Sequence, residues 1–514
     1  MAKKVIDCDL VVLGAGGSGL VAAVKAAELS GKKVVVLEKA KKAGGSTYYA
    51  HGFGVQYSKW QQEAGYPDTR DDTFRRTMNN LKWKVNHKLI LNFVYSSGPF
   101  FDWLVEKGGA EEYFVKPATY QAPTTAQGGQ GPGGQAAGGG MMMRMGSIDF
   151  PKRHMNKESR DPSIGPGWMG SYVVTKMLEQ CKKLGIEIVT SARATDFITD
   201  SKGNVTGVKA DTADGKLQVN CKACVAAAGG FGANREKLAK RWPEYADGNR
   251  FHIFSCPTSD GDSLDMAEKI GAFVDYKNMY WLVGGPAHHP YSYTIYRIML
   301  QPEMVYVNLN GERFVDETGG LDPCFNPLSK QPQARCYGVA DNDLVEMLGE
   351  RLIANPHDGP TDIPINKKFR EDIAYEESLG NELTKKADTL EELAKKIGAD
   401  PKTLVATINR YNEFCTNGRD LDFIKKPAYL IPIRKPPFYA FHGQRFTETT
   451  HGGITINENM EVLNTKGKAM PGLFAAGDNA GGHTIDGAGA GALDFAVVSG
   501  YMAGIAAGKY LSKA

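Results

Sequence analysis

Six residues, Gly14-Ala15-Gly16-Gly17-Ser18-Gly19, follow directly on an apolar stretch, Leu10 to Leu13, and run into a small-residue segment, Leu20 to Leu29. Strand, glycine turn and helix in that order make a dinucleotide fingerprint. Gly14 allows the tight turn, Gly16 lets backbone approach a pyrophosphate, Gly19 lets helix pack on strand, and the N–H groups at the helix start face phosphate charge. A second apolar strand, Val34 to Leu37, ends in Glu38, nineteen residues past Gly19. A carboxylate there accepts both ribose hydroxyls and argues against a 2′-phosphate, so against NADP. Near the other end of the chain, Ala475-Ala476-Gly477-Asp478 reads as the second half of the same site, which makes the dinucleotide FAD. Lys39 adjoins the ribose acid, and Lys42-Ala43-Gly44-Gly45-Ser46-Thr47 can wrap the flavin's ribityl and phosphate side.

Such a site needs a parallel α/β sheet to hold it, and the chain is long enough to build one. At 514 residues it can bury a large core and exceeds a typical single domain. A formal net charge of +3 gives no field that implies nucleic acid or a membrane surface. Met1-Ala2-Lys3-Lys4 leads directly into the first strand, so a cytoplasmic address is expected. The apolar segment Ala492 to Ala507 contains Asp494 and several glycines, and reads as a buried helix, not a membrane span. Of eight cysteines, only Cys221-Lys222-Ala223-Cys224 has a suggestive spacing. It enters an apolar strand, where positions i and i+3 point to opposite faces, so neither a redox pair nor a metal site is expected.

Between the two nucleotide segments lies a glycine-rich run with four methionines, Gly128 to Gly146, which cannot form a stable helix or central strand. It reads either as a surface loop or as a loop folded over an apolar pocket. A helix around Ser171 to Leu184, a strand Glu187 to Thr190, and a meander with turns at Lys202-Gly203 and Asp214-Gly215 lead to Val225-Ala226-Ala227-Ala228-Gly229-Gly230-Phe231. Asp260-Gly261-Asp262 opens a helix through Met266 to Ile270. Ala387 to Ile397 and Leu404 to Phe414 look like an inserted helical unit, with Ile431 to Pro437 as its return.

Taken in order, these pieces resemble the FAD-dependent fumarate reductase and succinate dehydrogenase flavoproteins, a family that includes the 3-ketosteroid dehydrogenases. The resemblance spans nearly the whole chain. Besides the segments above it rests on Ala50-x-Gly52, Ala228-Gly229-Gly230-Phe231-x-Ala233-Asn234, Gly261-Asp262, Asn310-Gly311-Glu312-Arg313-Phe314-x-x-Glu317, Gly452-Gly453 and Pro471 to Asp478. It implies a Rossmann-like FAD domain with a parallel sheet, helices and a β-meander, formed by residues 1–282 and 443–514. An α+β capping domain, 283–442, interrupts it and closes over substrate. Flavin contacts are implied at Gly52, Ala194, Ala228, Gly229, Asn234, Asp262, Gly477 and Asp478. Ala492 and Leu493 open a helix whose positive end would face the flavin N1 and O2 region. Thr47 stands where the covalent histidine of succinate dehydrogenases aligns, so FAD is expected to be held without a covalent bond.

Departures from the family bear on the substrate. Fumarate reductases grip a dicarboxylate with arginines, because a guanidinium pairs with each carboxylate. Leu321 and Ala488 stand at the two positions where those arginines align, and the usual His-Thr before Gly-Gly reads Thr449-Thr450-His451. Fumarate and succinate are therefore disfavoured. The run Gly487 to Gly491 resembles the tail of 3-ketosteroid dehydrogenases, yet Asp486 replaces their tyrosine. The capping segment instead carries Tyr280, Tyr291, Tyr293, Tyr296 and Tyr306, with His288, His289 and Arg297, which can stack on a ring and supply a proton. The expected chemistry is hydride transfer between flavin N5 and an activated carbon–carbon bond. Tyr296, Arg297, His289 and His451 are the candidates for the acid or the carbonyl-polarising group. Arg313 and Glu317 are expected to form a structural ion pair. The partner is a small molecule, cyclic or aromatic and weakly charged, with no nucleic acid and no membrane span. The reaction reads as an ene-reductase, with two alternatives: a ketosteroid-type dehydrogenase, or a non-catalytic flavoprotein that only relays electrons. Electrons would come from NADH or a redox partner protein.

Overall fold

The structure is a computed structural model. It describes residues 4–50, 54–110, 169–246, 252–253, 255–276, 279–284, 298–299, 301–319, 327–328, 330–354, 384–450, 452–484 and 492–513, with isolated positions between them.

Four-residue runs of aliphatic residues make the central sheet. Leu10–Leu13 lies between Val34–Leu37 and Ala223–Ala226, parallel to both and in register at Leu10↔Val34 and Leu10↔Ala223. Every residue of these three strands is buried, as expected where helices cover both faces of a parallel sheet. Glu187–Val189 extends the sheet on one side. On the other, Ala469–Ala475 joins parallel to Ala223–Ala226, and Glu461–Leu463 adds an antiparallel edge. Residues more than 450 positions apart thus share one six-stranded sheet.

The meander appears with both expected turns. Ala192–Thr199, Val205–Thr212 and Gly215–Asn220 pair antiparallel in sequence, and Lys4–Asp7 closes the sheet in parallel.

A second six-stranded sheet is built on one long strand, Phe438–Thr450. Arg335–Ala340, Thr384–Ala387 and Met279–Gly284 all pair antiparallel with it, and Val305–Asn308 continues the sheet beyond Arg335–Ala340. Strand alternation buries both faces. Tyr306, Cys336, Tyr439 and Phe441 enter one apolar cluster, while Val305, Val307, Tyr337, Val339, Phe438 and Ala440 enter another with helices Leu390–Ile397 and Pro401–Asn417. The first of these helices starts later than the sequence suggests, because Ala387 ends a strand and Thr389 caps the helix at the Glu392 N–H. The positions 282/283 and 442/443 both fall inside strands, Met279–Gly284 and Phe438–Thr450, which pair with each other at Gly284↔Gln444. The two boundaries expected for a capping domain therefore run side by side.

The segment from Ala492 is a helix to Lys513, packed along the first helix, Gly17–Ser30. Gly500, Gly504 and Gly508 repeat every four residues on the contact face. A Cβ on Gly500 would lie 2.4 Å from the Ser18 carbonyl oxygen, and one on Gly504 2.8 Å from that of Ala22 and 2.7 Å from the Lys25 Cβ. The glycines let two backbones touch. At the helix start, buried Asp494 accepts a hydrogen bond from the Gly54 N–H at 2.7 Å, tying the chain after Gly45–Tyr49 to the C-terminal helix. Among the described residues no helix is long and apolar enough to cross a membrane.

Two predictions follow from this packing. Gly504→Val overpacks the helix crossing and should cost about 1–3 kcal/mol in chemical denaturation; an unchanged midpoint would mean that the helices do not approach this closely. Burial pushes the Asp494 carboxyl up from 3.8 to about 7. Between those values the folded state keeps a proton that the unfolded state has lost, so stability falls as pH rises through the window, by at most about 4 kcal/mol. Asp494→Asn should remove this slope. Parallel stability-against-pH curves for wild type and variant from pH 4 to 8 would contradict it.

Candidate functional site

The glycine turn is shaped by contacts that admit no side chain. Gly14 has φ +95°, donates its N–H to the Leu37 carbonyl at 2.7 Å, and lies against the Ala227 carbonyl. A Cβ on Gly19 would sit 1.9 Å from the Gly14 carbonyl oxygen, so the first helix can start this close to the strand only with glycine there. Glu38 is buried at the end of its strand, and its carboxylate accepts from the Ala15 N–H at 2.8 Å and the Ala40 N–H at 2.7 Å. Thr47 is buried too; its hydroxyl accepts from the Gly17 N–H at 3.0 Å, and the Ala15 carbonyl accepts from Gly44. The turn, the acid and the Gly44–Thr47 segment therefore brace one another.

They surround a cleft. Gly14, Gly16, Gly17 and Ser18 line it from the helix start, with Glu38, Lys39, Gly45, Ser46 and Thr47 beside them. Ala194, Ala228, Gly229 and Asp262 line the far wall, and Asp478 comes in from the C-terminal part of the chain. The two ends meet closely at Ser18: a Cβ on Gly477 would stand 2.5 Å from its Oγ, and the Gly477 N–H donates to Ser499 Oγ at 2.8 Å. The segments at opposite ends of the sequence meet at one cleft.

Other expected contacts stand behind the wall. Ala15, Gly19 and Gly44 shape the turn as described. Asn234 caps the helix Arg235–Arg241 and donates to the Asp260 carbonyl at 3.1 Å, bracing the turn that carries Asp262. Leu493 is buried in the apolar core. Gly52, His289, Tyr296, Arg297 and His451 lie outside the described residues, as do Leu321, Asp486, Ala488, the run 128–146 and the side chain of Ala492.

Three features of the cleft went unread in the sequence. Asp260 joins the expected acids Glu38, Asp262 and Asp478 on the lining, and Lys39 bridges Asp260 and Asp262, at 3.2 Å to Asp262. Burial works to raise the Asp262 carboxyl, but the Arg193 hydrogen bond at 2.6 Å and the charge of Lys39 hold it below the usual range. Asn479, fully buried, accepts from the Ala228 N–H at 3.1 Å and exchanges hydrogen bonds with Ser263, joining three elements behind the cleft. Ala496 brings the C-terminal helix to the cleft wall. The Asp-Gly-Asp pattern was the available signal for Asp260; nothing local in sequence distinguishes Asn479.

Arg313 and Glu317 pair at 2.8 and 3.0 Å as expected, inside a larger buried cluster. Arg313 also meets Asp420 at 2.7 Å, and Lys425 meets Glu317 at 3.2 Å while donating to the Met304 carbonyl. Burial pushes the Lys425 ammonium below its usual range. Tight mutual pairing is what makes four buried charges tolerable here.

The cleft suits a dinucleotide. A helix start offers N–H groups to an anionic pyrophosphate, and carboxylates stand where ribose hydroxyls need acceptors. Comparison with known proteins agrees. The chain matches the FAD binding domain family over residues 9–492. It is 27% identical over 503 residues to a vinyl phenol reductase of Lactiplantibacillus plantarum, covering 93% of this chain and 91% of that protein. It is 29% identical over 505 residues to an NADH:acrylate oxidoreductase of Vibrio harveyi, covering 92% of this chain but 47% of that longer protein. In fold it resembles the 3-ketosteroid-Δ4-(5α)-dehydrogenase of Rhodococcus jostii RHA1, with a TM-score of 0.70 over 99% of this chain and 97% of the other at 22% identity. The chain belongs to the FAD binding domain family, in the company of fumarate reductase-like flavoproteins, and is an FAD-dependent oxidoreductase.

Proposed function

We propose that this protein is an ene-reductase, which saturates a carbon–carbon double bond activated by a carbonyl or a phenol ring on a cyclic or aromatic, weakly charged substrate. The observation that carries this reading is the full-length similarity to a vinyl phenol reductase in a chain with Leu321 and Ala488 where fumarate reductases carry arginines. Bound FAD supplies the hydride chemistry at its N5. Residues 1–282 and 443–514 form the FAD domain, and 283–442 form the cap.

The chain's own residues divide the work. The Gly14–Gly19 turn and the start of the first helix receive the pyrophosphate, and Glu38 accepts the adenosine ribose hydroxyls. Asp478 and the Gly44–Thr47 segment receive the ribityl side. Thr47 offers no imidazole for attachment and is committed to the Gly17 N–H, which favours non-covalent FAD. The cap supplies Tyr296, Arg297 and His289, and the strand end supplies His451, to polarise the conjugated group and place a proton on the carbon that does not receive hydride. A ring stacked on cap tyrosines needs no carboxylate clamp. NADH or a redox protein is the electron source; the relative that names NADH is about twice the length matched here. A cytoplasmic location fits a reductase of this kind.

The dehydrogenase direction stays a second reading because a ketosteroid dehydrogenase shares the fold. Anaerobic protein separates the two: dithionite-reduced flavin reoxidised by an enone or vinyl phenol supports the reductase, whereas bleaching of oxidised flavin by a saturated ketone supports the dehydrogenase.

Two predictions test this reading. Glu38→Ala should be purified largely as apoprotein, with FAD affinity weakened by about 2–3 kcal/mol; full occupancy at unchanged affinity would remove Glu38 from the site. With no arginine at positions 321 and 488, burying a dicarboxylate under the cap leaves charge unpaired at a cost of several kcal/mol. In reduced-viologen assays, fumarate turnover should therefore trail that of vinyl phenols and neutral cyclic enones by at least roughly a hundredfold. Brisk fumarate turnover would sink the argument and point to Arg144, Arg297 or Arg445 as the clamp.

A further inference from the structure

Two chain segments cross together from the meander to the central sheet, one leading to the glycine turn and the other to Ala228. In the meander Asp7 faces Asn220, and in the central sheet Leu10 faces Ala223, the same offset of 213 residues on both sides of the crossing. Register is therefore kept through the crossing, which sets Cys8 opposite Cys221 and Asp9 opposite Lys222. Side-chain contacts agree. The Lys222 ammonium meets the Asp9 carboxylate at 3.1 Å, the Cys8 N–H donates to the Asn220 carbonyl at 3.0 Å, and the Cys8 thiol leans on that same carbonyl at 3.5 Å. Alternation puts both cysteines on the face that Ile6 and Val219 bury.

We infer that Cys8 and Cys221 form a reversible disulfide, a thiol-modification site that staples the strand carrying the glycine turn to the meander. Adjacent strands lie about 4.7–4.9 Å apart, within the roughly 4.4–6.8 Å Cα separation that a disulfide spans. The Cys-x-x-Cys spacing points to a different pair, but Cys224 sits three residues further on, faces Val11 and is fully buried in its strand. Exposure sets the order of events. Cys8 is half-buried and Cys221 is 8% exposed, so an incoming small-molecule disulfide meets Cys8 first. The Cys8 thiolate attacks it, forms a mixed disulfide and releases one thiol. Cys221 then attacks the Cys8 sulfur and releases the second. Two protein thiols are oxidised and one external disulfide is reduced to two thiols. Burial pushes both protein thiols up to about 12, which makes the exchange slow at neutral pH.

The test treats the FAD-loaded protein with oxidised glutathione, alkylates the remaining thiols in denaturant and maps the peptides. The expected product is a Cys8–Cys221 linked peptide with Cys224 alkylated, formed roughly tenfold faster per pH unit between pH 7 and 9 as thiolate accumulates. Cys8→Ser and Cys8→Ala should both abolish the link, and dithiothreitol should reverse it in the wild type. The oxidised protein should also melt at a higher temperature than the reduced protein. A Cys221–Cys224 link, or a lasting glutathione adduct on Cys8 with Cys221 still free to alkylate, would overturn the inference.

Discussion

Backbone approaching backbone is the constraint on which the nucleotide half of this molecule depends. The first helix must start almost against the Gly14 carbonyl to present its N–H groups to a pyrophosphate, and the C-terminal helix must then lie against the first helix to bring Asp478 and Ala496 to the same cleft. Both approaches leave room for hydrogen but not for carbon: Gly19 and Gly477 each face an atom within 2.5 Å of where a Cβ would be, and Gly500 does so too. Gly19 and Gly500, both inside helices, forgo helix propensity of about 1 kcal/mol each relative to alanine, whereas Gly477 takes a positive φ of 64° that favours glycine. What they gain is position. The sheet strands, all aliphatic and buried, supply the rigid frame against which that position is held.

How legible each part was in the sequence follows from how local its cause is. The glycine turn, Glu38, the meander turns and the buried C-terminal helix each follow from a few adjacent residues, and the structure places them as the sequence suggests. Ala387 was read into a helix because its neighbours have helical periodicity; pairing with Phe438 makes it the end of a strand instead. Asn479, Ser263 and Thr450 are invisible locally, since each acts through a partner more than 200 residues away. Asp420 and Lys425 are invisible in the same way, with partners more than 100 residues away. Arg313 and Glu317 announce each other at four residues' spacing, whereas the two charges that complete the cluster come from the loop after helix Pro401–Asn417.

The second sheet is tied to the nucleotide cleft by strand pairing. Phe438–Thr450 is a single strand of that sheet, and at its end Thr450 accepts a hydrogen bond from the Phe231 N–H, two residues from Gly229 on the cleft wall. Met279–Gly284 runs antiparallel to it, so two paired strands, not two free linkers, carry the chain into and out of the second sheet. A connection of this kind bends more readily across its strands than it slides along them, because sliding breaks every ladder hydrogen bond at once. His451 is the next residue in sequence after the long strand.

Asp494 complicates the simplest account of how the C-terminal helix would help a reduced flavin. A helix start carries partial positive charge, favourable to negative charge at the flavin's N1 and O2. An ionised carboxylate in the first turn would cancel much of it. The structure resolves the conflict by burial: Asp494 lies in an apolar setting with the Gly54 N–H as its hydrogen-bond donor, and its carboxyl is raised to about 7. Desolvation outweighs that hydrogen bond, which by itself would favour the charged form. A protonated Asp494 leaves the helix start its positive potential. Ionisation strengthens the Gly54 hydrogen bond but costs more in desolvation than that bond returns, so the loss of this proton lowers stability and opposes the potential at the helix start together.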